Sequence, residues 1–561
     1  MRSAPTALAS DSLRPCLGWG LAGLWLLAIL LALSGLGQVP LRDWDEGIVA
    51  RVALEASQRP WPERLFPVLW GDPYLNKPPG LHLLIAEAME GWRAVGGAAA
   101  GALPPEWLVR LVPALLSSTV VPLLGLVQAR LRPHRPGVAL ASAAMALTLL
   151  PLARHGRLAM LDGSQLAAIL LLWWAVLTAN VRRRSLLLPG VVMGVAVSVL
   201  LLLKAPLAFP MLAGTLVLRA WDRELDGRQW RWLLLGLACG LVPGLAWHGA
   251  HALVRGPDAL RMWLSQGLAR VHQGLEGHSG GPGMPLMEVL EGGWPWLALW
   301  PGALGLAWRD RHTSAGRWCL GTTVLTAALV LPLRTQLPWY SLLLWPPFVL
   351  CCGPVLVWLV NRSPHLKPAW AAMTERVPAF WALLGGLLVG LAMVATASGA
   401  PALRPLAPVA AAGGSGLLGG GLLLLARQRG RRQLGVHMLI GGLWGALLLL
   451  LTGPLWLWEL NESWPVRPVA HAVAGHHGGT VRLWDLEERP SLNWYAGQRI
   501  QRWDGEGPAR AREVGPLPLF LITLAPDPPE LEGLFCVPLP LPAPPHLLRC
   551  AATTPASGPA P

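Results

Sequence analysis

The stretch LGWGLAGLWLLAILLALSGLGQVPLRDWDEGIVARVALE, residues 17–55, decides the fold. Leu17 to Gly37 is an uncharged apolar run, long enough to cross a bilayer as one helix. It is long for the core of a signal peptide, and no small-x-small cleavage site separates it from the charges that follow. It therefore reads as a retained first span. The chain then turns abruptly polar at Asp43-Trp44-Asp45-Glu46, and Tyr74-Leu75-Asn76-Lys77-Pro78-Pro79-Gly80 follows in the same stretch. Carboxylates followed by a lysine between a tyrosine and a rigid Pro-Pro pair are out of place in a plain linker. They fit a site at the membrane surface, where a carboxylate handles a proton or a hydroxyl and a cation holds a phosphate.

The rest of the chain repeats the first motif. Of 561 residues, 53% are hydrophobic and 14% charged, against about 25% charged in soluble proteins. Thirteen stretches read as candidate spans: 17–37, 108–129, 136–153, 163–180, 186–203, 205–218, 232–250, 294–308, 317–333, 340–360, 378–398, 406–426 and 435–459. The fold class is a polytopic α-helical membrane protein. A net charge of +14 would suggest nucleic acid in a soluble protein. Here the arginines cluster between spans, as at Arg130/Arg132/Arg135, Arg182-Arg183-Arg184 and Arg427/Arg429/Arg431/Arg432, and they alternate with poorly basic connections. That is the positive-inside pattern, and it leaves no reason to expect a nucleic-acid partner.

The alternation puts the amino terminus inside. It puts residues 38–107, the 154–162 turn, Lys204, the 251–293 loop, the turn before Tyr340 and residues 460–561 on one extracytoplasmic side. We divide the chain into a membrane domain, 1–465, an extracytoplasmic α/β domain, 466–548, and a disordered Pro/Ala end, 549–561. Val481–Asp485 and Leu519–Leu524 read as its strands. The seven cysteines have no metal-like spacing. Cys16, Cys239, Cys319, Cys351 and Cys352 read as small buried hydrophobes. Cys536 and Cys550 lie in the tail, where an oxidising compartment would let them pair.

The motifs taken in order carry a family resemblance. The chain resembles the GT-C glycosyltransferases that take a sugar from a polyprenyl phosphate, and among them the branch of the lipid A aminoarabinose transferase and the protein mannosyltransferases. Asp45, Glu46, Ala50, Ala53 and Glu55 match that branch's D-E-x-x-x-A-x-x-A-x-E pattern, and Tyr74, Lys77, Pro78 and Pro79 its Y-x-x-K-P-P element. Arg157 through Asp162 resembles its R-L-x-x-x-D turn, and Lys204 the lysine ending a later span. His278, Pro282 and Gly292 through Trp296 resemble its H…P…G-x-x-P-W loop. Pro338-Trp339-Tyr340 with Pro346 resembles P-x-Y…P, and Pro490 through Tyr495 the soluble domain's P-S-L-x-x-Y. Two positions depart from the pattern. Ile48 stands where the branch often has arginine, and Asn76 where it often has a glutamate that contributes to a bound metal. A divalent metal ion therefore stays an open cofactor question, with His278 as a candidate ligand. A surface histidine without fixed spacing is the competing reading.

The resemblance implies a hexosyl- or pentosyltransferase of the bacterial plasma membrane, with its active site on the periplasmic side. It would move a sugar, with inversion, from a polyprenyl-phosphate donor to a lipid, glycan or protein acceptor; lipid A modification and protein glycosylation are both in the branch. Lys77, Lys204, Arg157, Tyr340 and Tyr74 are the expected donor-phosphate residues, because fixed cations and donors stabilise the departing phosphate. Asp45, Glu46 and Asp162 are the expected catalytic carboxylates, with Asp45 as base for a hydroxyl acceptor or as an orienting group for a phosphate acceptor. Interfacial snorkelling is the competing reading for the lysines, and a solvated loop or a helix amino-terminal cap for Asp43 and Glu46. The rival function is a transporter or flippase of a lipid-linked substrate. That class places ionisable groups near the bilayer midplane and often shows two related halves.

Overall fold

A computed structural model describes residues 13–97, 102–179, 185–263, 265, 283–362, 370–456, 464–474, 479–503, 518–525, 534–541 and 545–552. His278 and Pro282 lie outside them. Every stretch expected to span carries helix. Among the described residues nine helices are long and apolar enough to cross a membrane. A tenth is added if Pro136–Leu147 and Leu150–Gly156, bent by 59°, form one span. Pro151 in the first turn of the second piece suits a helix restart, since its missing N–H has no partner there anyway.

The longest helix, Leu187–Asp222, breaks at Lys204, whose backbone is extended (φ −157°, ψ 86°). Packing shows that the chain reverses there. A Cβ on Gly190 would lie 2.3 Å from the Leu233 carbonyl oxygen, and one on Gly194 2.4 Å from that of Leu237. The two helices therefore touch backbone to backbone, as small residues allow in lipid. Both numbers rise together, so residues 187–203 run parallel to Gly227–Arg255. The intervening limb must run back, and Arg219 on it donates to the Ala179 carbonyl at 2.6 Å. Lys204 sits at the top of that reversal. The adjoining spans expected at 186–203 and 205–218 are these two limbs.

The polar segment between the first two spans carries two helices, Asp45–Ser57 and Gly80–Ala94, which flank a small hairpin. Val49, Ala53 and Leu54 bury against Leu81, Ile85 and Met89. Trp70 and Gly71 turn the hairpin with φ of 56° and 86°. Two positive φ values suit a tight right-twisted hairpin. The Glu55 carboxylate accepts the N–H of Trp70 at 2.8 Å and of Gly71 at 3.1 Å. At the start of the expected 251–293 loop the helix continues to Arg255 and stops at Gly256 (φ 77°). Residues 258–263 are helical again, and a further helix, Gly283–Gly292, forms before the next span.

The carboxyl-terminal unit is a five-stranded mixed sheet in the order Gln501–Arg502, Thr480–Leu483, Leu519–Thr523, His546–Ala552, Leu534–Leu539. Both expected strands fall on it. The last strand runs past the boundary expected at 548, because Cys550 pairs in register with Cys536 and the two form a disulfide. Helix Pro490–Ala496 docks this unit on the amino-terminal turn of Asp45–Ser57. A Cβ on Gly47 would lie 2.6 Å from the Pro490 carbonyl carbon, so only glycine permits the approach.

Candidate active site

Asp45 begins its helix, where the helix dipole favours a carboxylate. Its neighbours come from four other segments: Lys77 from the Pro-Pro loop, Arg42 from the extended stretch before the helix, Asp162 from the start of Leu161–Thr178, and Lys204 from the helix break. Burial pushes the Asp45 carboxyl up to about 6, and Asp162 adds to the rise, against the pull of Lys77, Arg42 and Lys204. Lys204 Nζ lies 3.3 Å from Asp162 Oδ1 and 4.9 Å from the centre of the Tyr340 ring. Tyr74 is buried beside Asp45, and both burial and that carboxylate push its hydroxyl up.

Lys77 is held from below. The buried His82 ring packs edge-on to Tyr74, centroids 5.7 Å apart, and its Nδ1 lies 3.2 Å from the Pro78 carbonyl. Burial pushes His82 down to about 4; the Pro78 carbonyl opposes this and Lys77 adds to the fall. The ring is thus neutral and donates to Pro78, fixing the turn that carries Lys77. On the other side of the loop, the Trp263 indole donates to the Leu75 carbonyl at 2.8 Å.

Glu46 is fully enclosed. Arg110 meets it with two parallel bonds, Nε to Oε1 at 2.7 Å and Nη2 to Oε2 at 2.6 Å. The backbone N–H groups of Ala159 and Arg42 each add one at 2.7 Å. Burial alone would raise this carboxyl, but Arg110 and the two N–H groups hold it below its ordinary value. The remaining Arg110 donors go to the carbonyls of Leu36, Val39 and Pro40. All five guanidinium N–H groups are thereby used. The clamp joins the end of the first span, the Asp45 helix and the Arg157–Asp162 turn. Removing one partner of such a buried pair leaves the other charge stranded. Arg110→Met should therefore destabilise the protein by about 3–5 kcal/mol, read as a lower thermal midpoint in detergent. Adding Glu46→Gln should recover part of the loss.

The sheet unit is pinned to the stretch just before the Asp45 helix and to Glu106. Asp43 accepts from Arg489 and from the Ser491 backbone at 3.1 Å. The Tyr495 hydroxyl accepts from Leu41 N–H at 2.7 Å and donates to Glu106 at 2.8 Å. Asp43 is therefore a docking residue, not the solvated loop residue or helix cap that its position suggested.

The structure thus brings together Asp45, Asp162, Lys77, Lys204, Tyr340 and Tyr74. It keeps Arg157 apart from them. That side chain is buried, donates to the Ser34 carbonyl and covers the Trp456 ring at 4.8 Å. Arg42, Arg110 and His82 were not anticipated. Arg110 had a readable signal, since a charge within an apolar span marks a structural or functional group. Among the described residues no group of three or more His, Cys, Asp or Glu is placed to hold a metal. Two carboxylates interleaved with three cations are a poor donor set for a divalent ion.

The helical bundle, the helical segment folded over one end of it and the docked sheet form a GT-C glycosyltransferase fold. The crystal structure of ArnT from Cupriavidus metallidurans bound to undecaprenyl phosphate matches with a TM-score of 0.66 at 18% identity, covering 95% of this chain and 98% of that one. The same enzyme in its apo state matches with a TM-score of 0.64, again at 18% identity and with the same coverage. No protein-family model and no curated protein matches the chain.

Proposed function

We propose that this chain is an integral membrane glycosyltransferase. It moves a sugar from a polyprenyl-phosphate donor to a lipid, glycan or protein acceptor at the extracytoplasmic face. The observation that carries this reading is the convergence of Asp45 and Asp162 with Lys77, Arg42 and Lys204 at one end of the bundle. The similar crystal structure bound to undecaprenyl phosphate supports the donor class, and the alternating arginine clusters support the sidedness.

Lys77 and Lys204 hold the donor phosphate and stabilise the charge that grows on it as the bond to the anomeric carbon breaks. Asp45 takes the proton of an incoming hydroxyl from the opposite side of the sugar, which inverts the anomeric centre. Asp162 keeps Lys204 aimed at the site, while Tyr340 supports its ammonium from below. Glu46 positions Asp45 and does not react. A flippase is the weaker reading, because these charges gather at a bundle end and not at its middle.

The position of the Asp45 carboxyl gives a pH prediction. As the base, Asp45 must be ionised, so kcat/KM should fall below about pH 6, not below about 4 as for an ordinary aspartate. The stability consequence has the opposite sign. A carboxyl raised by folding costs nothing below its unfolded value, and its penalty is complete above about pH 6. The penalty is on the order of 3 kcal/mol at most. The reading as a whole is tested by mass spectrometry of membrane lipids, glycans and envelope proteins in cells with wild type or Asp45→Asn. A glycan present only with wild type supports it, and identical profiles count against it.

A further inference from the structure

We propose that Arg42 is a ligand of the donor phosphate, with Trp339 holding its guanidinium in place; this rests on the transferase reading above. The guanidinium lies over the Trp339 ring, 5.1 Å from its centre. The next residue, Tyr340, carries Lys204 over its own ring. Two consecutive aromatic residues thus each carry a cation that faces Asp45.

Arg42 is half-buried. Among the described residues its side chain makes no hydrogen bond and no ion pair, and its backbone N–H alone is engaged, by Glu46. The contrast with Arg110 is informative, because there every donor is used. A guanidinium held over a ring face leaves the N–H groups at its outer edge available. That is the geometry in which arginine grips a phosphate with two parallel bonds. Charge balance points the same way. Around Asp45 stand the cations Lys77, Arg42 and Lys204 against the carboxylates Asp45 and Asp162. The group carries at least one surplus positive charge, and a phosphodiester supplies one negative charge. As the sugar leaves, the phosphate gains a second, and a guanidinium is suited to take it up.

The test uses full-length protein in nanodiscs, with undecaprenyl phosphate, undecaprenol and inorganic phosphate as separate probes. Arg42→Ala should weaken undecaprenyl phosphate about ten- to a hundredfold and leave undecaprenol unchanged. Arg42→Lys should recover part of the loss, and Trp339→Leu should weaken binding less than Arg42→Ala. Competition by inorganic phosphate should fall in step with Arg42→Ala, marking the headgroup and not the tail as the ligand. If wild type binds the lipid phosphate and Arg42→Ala binds it equally well, the assignment is wrong and the transferase reading survives. An equal loss for undecaprenol would mean misfolding and would also overturn the assignment. If wild type binds no undecaprenyl phosphate, the donor reading fails first.

Discussion

Asp45→Asn should reduce glycosyl transfer by about 10²–10⁴-fold with a hydroxyl acceptor, while folding and membrane insertion stay intact. The carboxyl faces all three cations, and burial has moved it to about 6, into the range of a working base. Asparagine keeps its shape and removes its proton affinity. It also removes the desolvation penalty, so above about pH 6 the variant should unfold at a temperature equal to or higher than wild type. Below about pH 4 that advantage should vanish. A loss of turnover joined to a gain in stability separates a functional carboxylate from a structural one. Full turnover by the folded variant would rule out an essential role. A phosphate acceptor needs no base, and with one the loss should sit near the lower end and the acid limb of the pH profile should disappear.

Lys77→Ala should weaken donor binding by about ten- to a hundredfold, as expected for one charge-assisted phosphate contact. Pro78 and Pro79 stiffen the backbone after it and remove two donors, and the neutral His82 ring locks the Pro78 carbonyl. The lysine is thus presented from a fixed support and loses little freedom on binding. Lys77→Arg should retain part of the affinity, limited by the different geometry of its fork. Equal donor affinity for wild type and both variants would reduce Lys77 to an interfacial anchor. The phosphate would then have to be held around Lys204 and Arg42.

The spans were legible in the sequence because lipid demands long apolar helices, and a hydropathy pattern is local. The reversal at Lys204 was also legible, as two adjoining apolar stretches meeting at a lysine. Asp45, Lys77, Asp162, Lys204 and Tyr340 were readable from short motifs, and the fold brings them to one place. The Arg110–Glu46 clamp was not, because it joins residues from distant segments and no spacing rule links them. Arg157 shows the limit of motif reading, for its matched turn serves to bury the guanidinium against Ser34 and Trp456. Arg42 lay only three residues before Asp45 and carried no pattern. What marks it is the ring beneath it and, among the described residues, a side chain with no hydrogen bond or ion pair, and both are facts of three dimensions.

The central claim, that the group around Asp45 transfers a sugar from a lipid phosphate, has one direct test. Purified protein in nanodiscs is given a polyprenyl-phosphate sugar, with and without a crude extract of envelope acceptors, and free polyprenyl phosphate is measured over time. The account predicts acceptor-dependent release by wild type, strongly reduced by Asp45→Asn and by Lys77→Ala. Movement of intact donor across the bilayer with no free polyprenyl phosphate released, and no effect of either substitution, would contradict it.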